Sequence, residues 1–377
     1  MKPLLTGALF AALSPAALAN GAEPSSDWLG LDEELNAVAS PVALQGGGVS
    51  IGALFRGAYI SADMDDFGGF GADQLGMVVD DVELWHEGSI EQYSWRISVD
   101  FGQPISPYSL LALVGAPAVV AQTTRTDLLE DAYVDWHFDE RFSLRLGHFV
   151  FPTSFASQTD PGSTLFMDRT TNGDLFHQYS LGAMLSGDYD VFEWFVAVLN
   201  GADDTGDEHA FALRGVYNLG DGASGEGALG GGDDFNASIG ASFVQDDGLT
   251  DDSEVITIDI LGSVGQFGFG GELVNYGDGV VPGLGGVPIA LPYDEGPSLF
   301  SVFGSYLINE QWEIAARFED LGDEDDTTAI SFGVNFYQAG HNAKWQLLYK
   351  DVASDAITGV EGSIIALGIT VGASRNG

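Results

Sequence analysis

The chain has 377 residues, with 56 Asp and Glu against 12 Lys and Arg, a formal charge of −44, and no cysteine. That surplus of negative charge repels nucleic-acid phosphates, whose binding rests on basic contacts, and so excludes nucleic acid as a partner. The missing thiols exclude disulfides and thiolate metal sites, which leaves backbone pairing and packing to hold the fold.

At the N-terminus, Lys2 precedes an apolar run from Leu4 to Leu13, and Ala17-Leu18-Ala19 gives a small-x-small cleavage pattern. Residues 1–19 are therefore expected to be a secretory signal peptide. Residues 20–48 are polar apart from Trp28, Leu29, Leu31 and Leu35, and are expected to form a periplasmic N-terminal segment with one short helix. Beyond the leader no run of about 20 apolar residues occurs, so no helical membrane span is expected.

From Val49 onward the hydrophobic period is two. Trp95, Ile97, Val99 and Phe101 share one face, with Arg96, Ser98 and Asp100 on the other. Ala132, Val134, Trp136 and Phe138 oppose Tyr133, Asp135 and His137, and Trp312, Ile314, Ala316 and Phe318 oppose Glu313, Arg317 and Glu319. Alternate side chains point to opposite sheet faces, so each segment reads as a strand with one apolar and one polar face. Sixteen such segments are predicted: 49–62, 77–88, 93–102, 129–138, 142–151, 179–188, 191–200, 210–219, 235–245, 255–265, 267–276, 298–308, 312–320, 329–338, 343–351 and 363–373. Most have the roughly 9–11 residues that a tilted strand needs to cross a bilayer.

Tight turns such as Asp139-Glu140 and Asn309-Glu310-Gln311 alternate with long loops, the pattern of bacterial outer-membrane barrels. Gly220 to Asp234 breaks it, being long and glycine-rich where a short periplasmic turn is due. Either that turn is extended or the strand count is off by a pair. Arg56, Arg96, Arg145, Arg214 and Arg317 all fall on the non-apolar parity. Placing so many ions in the dry core of a secreted sandwich would cost several kcal/mol per unpaired charge. An all-β transmembrane antiparallel barrel over residues 49–377, closed in lipid around water, removes that cost and leaves no open edge.

From Val79 to Gly220 the chain resembles the phosphate-selective porin O and P family. The resemblance rests on VDDVELWHEGSIEQYSWRISVDFG (Val79–Gly102), LEDAYVDWHF (Leu129–Phe138) and FSLRLGHFVFPTSFASQTDPGSTLFMDRT (Phe142–Thr170), extended by LGAMLSGDY and by FVAVLNGADD…FALRGVYNLG. It implies a sixteen-stranded outer-membrane barrel of a Gram-negative bacterium, a homotrimer, with the third loop folded inward as a constriction. By position that loop is Pro152 to Phe176. Family members that select anions line the pore with arginine and lysine. Here Arg145 stands in the strand before the loop and Arg169 in the FMDR motif, but Lys344 and Lys350 are the only lysines beyond the leader. The C-terminus departs as well, ending Ala373-Ser374-Arg375-Asn376-Gly377 rather than on an aromatic residue.

No HExxH zinc pattern or GxxxxGK[ST] phosphate loop occurs, and the six histidines never pair at helical metal spacing. Neither an enzyme nor a cofactor is expected. Function is assigned instead to the lumen, where charge rings discriminate ions by sign. The expected pore-lining and constriction residues are Arg96, Asp100, Asp135, Arg145, Asp160, Asp168, Arg169, Asp174, Arg214 and Arg317. Asp81, Glu83, Asp131, Asp259, Glu313 and Glu319 share the inward parity. The Debye length is about 8 Å at physiological salt, so lumen charges act on a passing ion and distant loop acids hardly do. Weak cation selectivity follows for small ions and solutes. An anion channel of the same family and a non-conducting surface barrel are the competing readings.

The acidic loops (Asp203-Asp204 with Asp207-Glu208, Asp246-Asp247 with Asp251-Asp252, Asp320 with Asp323 to Asp326) read as solvated, with Ca²⁺ binding or lipopolysaccharide bridging as the alternative. Tyr108 to Ala121 is an apolar stretch in an outer loop, suited either to trimer packing or to its own barrel rim.

Overall fold

The computed structural model describes residues 48–64, 74–102, 128–177, 179–201, 209–246, 254–277, 298–322, 326–353 and 362–372. The expected signal peptide, nearly all of the segment 20–48, the apolar stretch 108–121, most of the acidic loop residues and the C-terminal residues 373–377 lie outside them.

Sixteen strands are present: β1 (Val49–Met64), β2 (Gln74–Ile90), β3 (Tyr93–Asp100), β4 (Leu129–His137), β5 (Phe142–Val150), β6 (Tyr179–Asp188), β7 (Phe192–Leu199) and β8 (Ala210–Leu219) in the first half. The second half holds β9 (Asn236–Asp246), β10 (Glu254–Val264), β11 (Phe267–Tyr276), β12 (Ser298–Asn309), β13 (Trp312–Asp320), β14 (Thr328–Tyr337), β15 (Ala343–Ala353) and β16 (Gly362–Gly372). Each pairs antiparallel with its neighbours in sequence, and β1 closes on β16 from Leu54↔Gly372 to Met64↔Gly362. Closure pairs the two strands that an open sheet would leave as edges, the condition for a sheet to stand in hydrocarbon.

The faces are inverted relative to a water-soluble protein. On β13, Glu313, Arg317 and Glu319 are buried while Trp312 and Ile314 are exposed. On β15, Lys344, Gln346 and Lys350 are buried while Leu347 and Tyr349 are exposed. Large exposed apolar residues occur on every strand. Left in water this surface would forfeit about 25 cal/mol per Å² of apolar area, a loss that a lipid belt removes. Aromatic residues ring the end where the short turns lie: Trp136, Phe138, Phe142, Tyr189 and Trp194 form one chain of ring contacts, and Trp312 packs on Phe336 with centroids 4.7 Å apart. Such amphipathic rings mark a membrane–water boundary.

All sixteen segments read from the alternation are strands, with ends shifted by a few residues. The ambiguity at Gly220–Asp234 resolves in favour of an extended turn, because β8 and β9 pair in unbroken register on either side of it, from Leu219↔Ala237 to Ala210↔Asp246. One irregularity has an electrostatic consequence. The β1–β2 register slips between Arg56 and Gly57, which leaves Asp80 as an extra residue on β2. Asp80 and Asp81 then converge on a single guanidinium, Arg56, at 2.5 and 2.7 Å.

Candidate functional site: the lumen and its inserted loop

The β5–β6 connection enters the barrel. Its local turns follow from capping side chains. Ser154 and Ser157 exchange hydrogen bonds at 3.1 Å and start a short helix, Phe155–Gln158. Asp160 accepts from Gly162 N at 2.7 Å to set the 3₁₀ turn Pro161–Ser163, and Thr170 caps the helix Thr171–Phe176 through Gly173 N at 3.0 Å. Ser, Thr and Asp suit these positions because their oxygens satisfy the free N–H groups of a helix start.

Two dry seats hold the loop. Leu165, Phe166 and Met167 pack against Ala58, Ile60, Ala315, Leu348, Ile364 and Ala366 of the inner wall. Phe151 and Phe176 pack with Phe149, Met184, Leu199, Val274 and Tyr276. The inner wall is therefore apolar in two patches, a feature that the strand alternation alone does not signal.

A buried loop carries backbone groups that need partners, and the wall supplies them. Arg56 donates to Pro161 O at 3.1 Å, Asn335 to Leu165 O at 2.9 Å, Lys344 to Thr164 O at 2.5 Å, and Arg214 to Thr153 O. Asp259 accepts from Phe155 N at 2.5 Å and Glu319 from Thr171 N at 2.7 Å. Glu272 accepts from the Thr170 hydroxyl and, at 2.7 Å, from Asn172.

The expected site residues fall into three groups. Asp168, Arg169, Arg214 and Arg317, with Asp160, anchor the loop. Arg317 and Lys350 each meet Asp168 at 2.8 Å. Burial alone would raise the Asp168 carboxyl, but Arg317 and Lys350 outweigh it and hold the group below its usual range. Arg214 binds Asp259 at 2.8 Å. Arg169 holds the loop to itself, donating to Ala156 O at 2.9 Å and to Thr159 O; burial lowers its pKa, against the charge of Asp174. A second group belongs to β2–β4: Arg96 lies 3.7, 3.2 and 3.3 Å from Glu83, Glu87 and Asp131, while Asp100 accepts from Val82 N and Gly102 N.

The third group meets water. Arg145 binds Asp135 through two bonds of 2.8 and 3.0 Å and lies 3.6 Å from the centroid of Tyr133. Its side chain keeps 27% of its exposure. Asp174 is also partly exposed, whereas the other eight expected residues are buried. Inward positions on β10, β11, β13, β14 and β15 are buried without exception. On β4–β7, by contrast, Tyr133, Ser143, Ser186, Glu193 and Phe195 remain partly accessible. Away from the second seat on Phe149, Met184 and Leu199, solvent thus reaches the part of the β4–β7 inner face that the loop leaves uncovered.

Glu226, Glu272, Asn335 and Gln346 were not singled out by the sequence, because their role depends on contacts 60 or more residues away. The string Gly48-Val49-Ser50-Ile51-Gly52 has the spacing of a hydrolase nucleophile elbow. It runs into β1 as extended chain, with Ser50 Oγ donating to Glu87 at 3.0 Å, so the strand-to-helix turn that chemistry needs is missing.

Residues 96–223 match the model of the family described as phosphate-selective porin O and P. Among curated proteins none matches the sequence significantly. The fold is similar to the outer membrane channel DcaP of Acinetobacter baumannii, at 12% identity over 88% of this chain and 99% of that one, with a TM-score of 0.57. It is similar to Salmonella typhi OmpF, solved in complex with daunomycin, at 10% identity over 88% and 100% of the two chains, with a TM-score of 0.59. OmpT of Vibrio cholerae in its trimer form matches at 10% identity over 87% and 100%, with a TM-score of 0.54. The fold is a closed sixteen-stranded antiparallel β-barrel similar to those of outer-membrane porins. In bacterial barrels of this fold the short-turn end is the periplasmic one, and here the β5–β6 connection stands where the expected third loop was placed.

Proposed function

We propose that this barrel is a channel for passive diffusion of small hydrophilic solutes and ions, weakly selective for cations, with its water path along the β4–β7 wall. The carrying observation is that the lumen cations are already spent. Arg56, Arg96, Arg214, Arg317 and Lys350 are paired with carboxylates, and Lys344 is bound to a loop carbonyl. Among the described inward residues, the partly exposed acids Glu87, whose side chain is 45% exposed, Asp174 and Glu193 stand against the partly exposed Arg56 and Arg145, both already paired with carboxylates. The family description favours an anion channel instead, but both lysines beyond the leader are buried. Reversal potentials of the reconstituted barrel under a KCl gradient test the sign: potassium preference is expected, and a clear chloride preference overturns it.

A non-conducting surface barrel is the second reading, favoured by the filled β10–β15 side. Stepwise currents in planar bilayers decide against it; their absence decides for it. A homotrimer is proposed by analogy with OmpT, within outer-membrane lipid and lipopolysaccharide, and heat-modifiable bands of trimer mobility on detergent gels check that assembly.

A further inference from the structure

The other described connections at the periplasmic end are two to five residues long, whereas β8 and β9 are joined by Gly220 to Phe235. This turn folds into the barrel. Asp221 N donates to Asn236 Oδ1 and Ala223 N to Ser238 Oγ, both at 2.8 Å, which draws the chain over its own strands. Farther along, a Cβ added to Gly268 on β11 would overlap the Gly227 backbone. Ala228 N donates to the buried Glu313 on β13 at 2.7 Å, and Glu226 Oε2 accepts from Leu165 N of the inserted loop at 2.8 Å. Gly227, at φ +87°, is wedged where a Cβ would lie 2.7 Å from Glu313 Oε1 and 3.1 Å from Leu165 Cδ1. Only glycine combines that backbone conformation with so close an approach.

Two segments therefore enter the lumen from opposite ends and meet at Glu226 and Leu165. The Leu165 N–H lies inside the barrel, and a carboxylate there gives it a charge-assisted bond. Cutting the turn back would remove wall material from the periplasmic exit and free the loop tip at once.

We propose that the β8–β9 turn is a second constriction element, narrowing the periplasmic exit and bracing the inserted loop from beneath, so that both segments set the solute size limit. This rests on the channel reading above. The native chain lacks cysteine, so a Gly231→Cys, Ser263→Cys pair reports the turn's position alone. A Cβ on Gly231 lies 2.7 Å from Ser263 Cβ, within reach of a disulfide after a small shift of the turn. Loss of both free thiols on mild oxidation of the folded barrel is expected; persistent thiols overturn the placement. Replacing residues 221–235 by Asn-Gly, a two-residue hairpin turn that keeps the Leu219↔Ala237 register, is expected to raise unit conductance at least about twofold by widening the path, and to admit neutral oligosaccharides that the parent excludes in liposome swelling. Glu226→Gln, which keeps the turn, is expected to give a smaller rise with a noisier open state, and it serves if the short-turn variant fails to fold. A conducting parent whose variants keep its conductance and size limit overturns the constriction alone. A parent that conducts nothing overturns the channel reading together with it, and the thiol result separates that case from a misplaced turn.

Discussion

Arg317 on the barrel wall and Asp168 on the inserted loop meet twice, through a 2.8 Å ion pair and through a 3.1 Å bond from Arg317 Nη1 to the Asp168 carbonyl. One side chain thus holds both the charge and the backbone of the loop. Lys350 and Glu319 complete the cluster, with Lys350 at 2.8 Å from Asp168 and Glu319 at 3.1 Å from Arg317.

Removing Arg317 leaves Asp168 and Glu319 to share Lys350, so that one buried negative charge is uncompensated, a loss of about 3–5 kcal/mol. Arg317→Ala is expected to loosen the loop while the lipid-facing sheet persists. The temperature at which the folded gel band disappears drops, and open-channel noise rises. Arg317→Met combined with Asp168→Asn recovers part of the loss, because it removes both ions together. An Arg317→Ala barrel as quiet and as heat-resistant as the parent contradicts the anchoring role.

Arg145 is expected to behave differently. It is partly exposed and its removal frees Asp135 toward water. Arg145→Ala should move the reversal potential toward potassium, with little change in heat resistance. Arg214→Ala, made at a buried loop anchor, should reduce heat resistance and shift selectivity less. The contrast between the two variants is the measurement; equal behaviour argues against a division between water path and anchor.

The loop carries a carboxylate that titrates near neutrality. Although Asp174 keeps some exposure, the packed loop around it strips most of its water and pushes its carboxyl up to about 6, against the pull of Arg169, with Asp168 and Asp80 adding to the rise and Lys350 opposing it. Its neutral form suits the folded loop. The stabilisation is fully present below the ordinary aspartate value of about 3.9 and is lost as pH rises through about 6. Across the same window the lumen gains negative charge, so potassium preference should rise from pH 5 to pH 7. Asp174→Asn should flatten that rise; the same curve in both proteins would falsify the assignment.

Phe166 tests the dry seat. It is buried against the inner wall, 6.4 Å from the Phe303 ring centroid and 4.6 Å from the Arg317 guanidinium. Phe166→Ala removes packing worth about 3–5 kcal/mol in ordinary cores. Faster tryptic cleavage after Arg169 in the folded barrel is the expected reading, with the strands still protected. Unchanged cleavage shows that the polar anchors suffice alone.

The alternation of single residues was enough to determine which stretches are strands, which side chains face lipid, and that the sheet must close. A period of two is a local property, and a belt of Ile, Leu, Val and aromatic residues on one parity admits one solvent. The parity also placed Arg145, Arg214 and Arg317 inside. It could not show what they touch. Arg317 meets Asp168 across 149 positions and Lys344 meets Thr164 across 180, and no local pattern encodes a distance that only closure of the barrel creates. Three matters were decided in three dimensions: that most lumen charges anchor a loop, that Ala58, Leu348 and Ile364 form its apolar seat, and that the glycine-rich turn bends inward to meet Leu165. Each depends on chain segments far apart in sequence competing for the same enclosed volume.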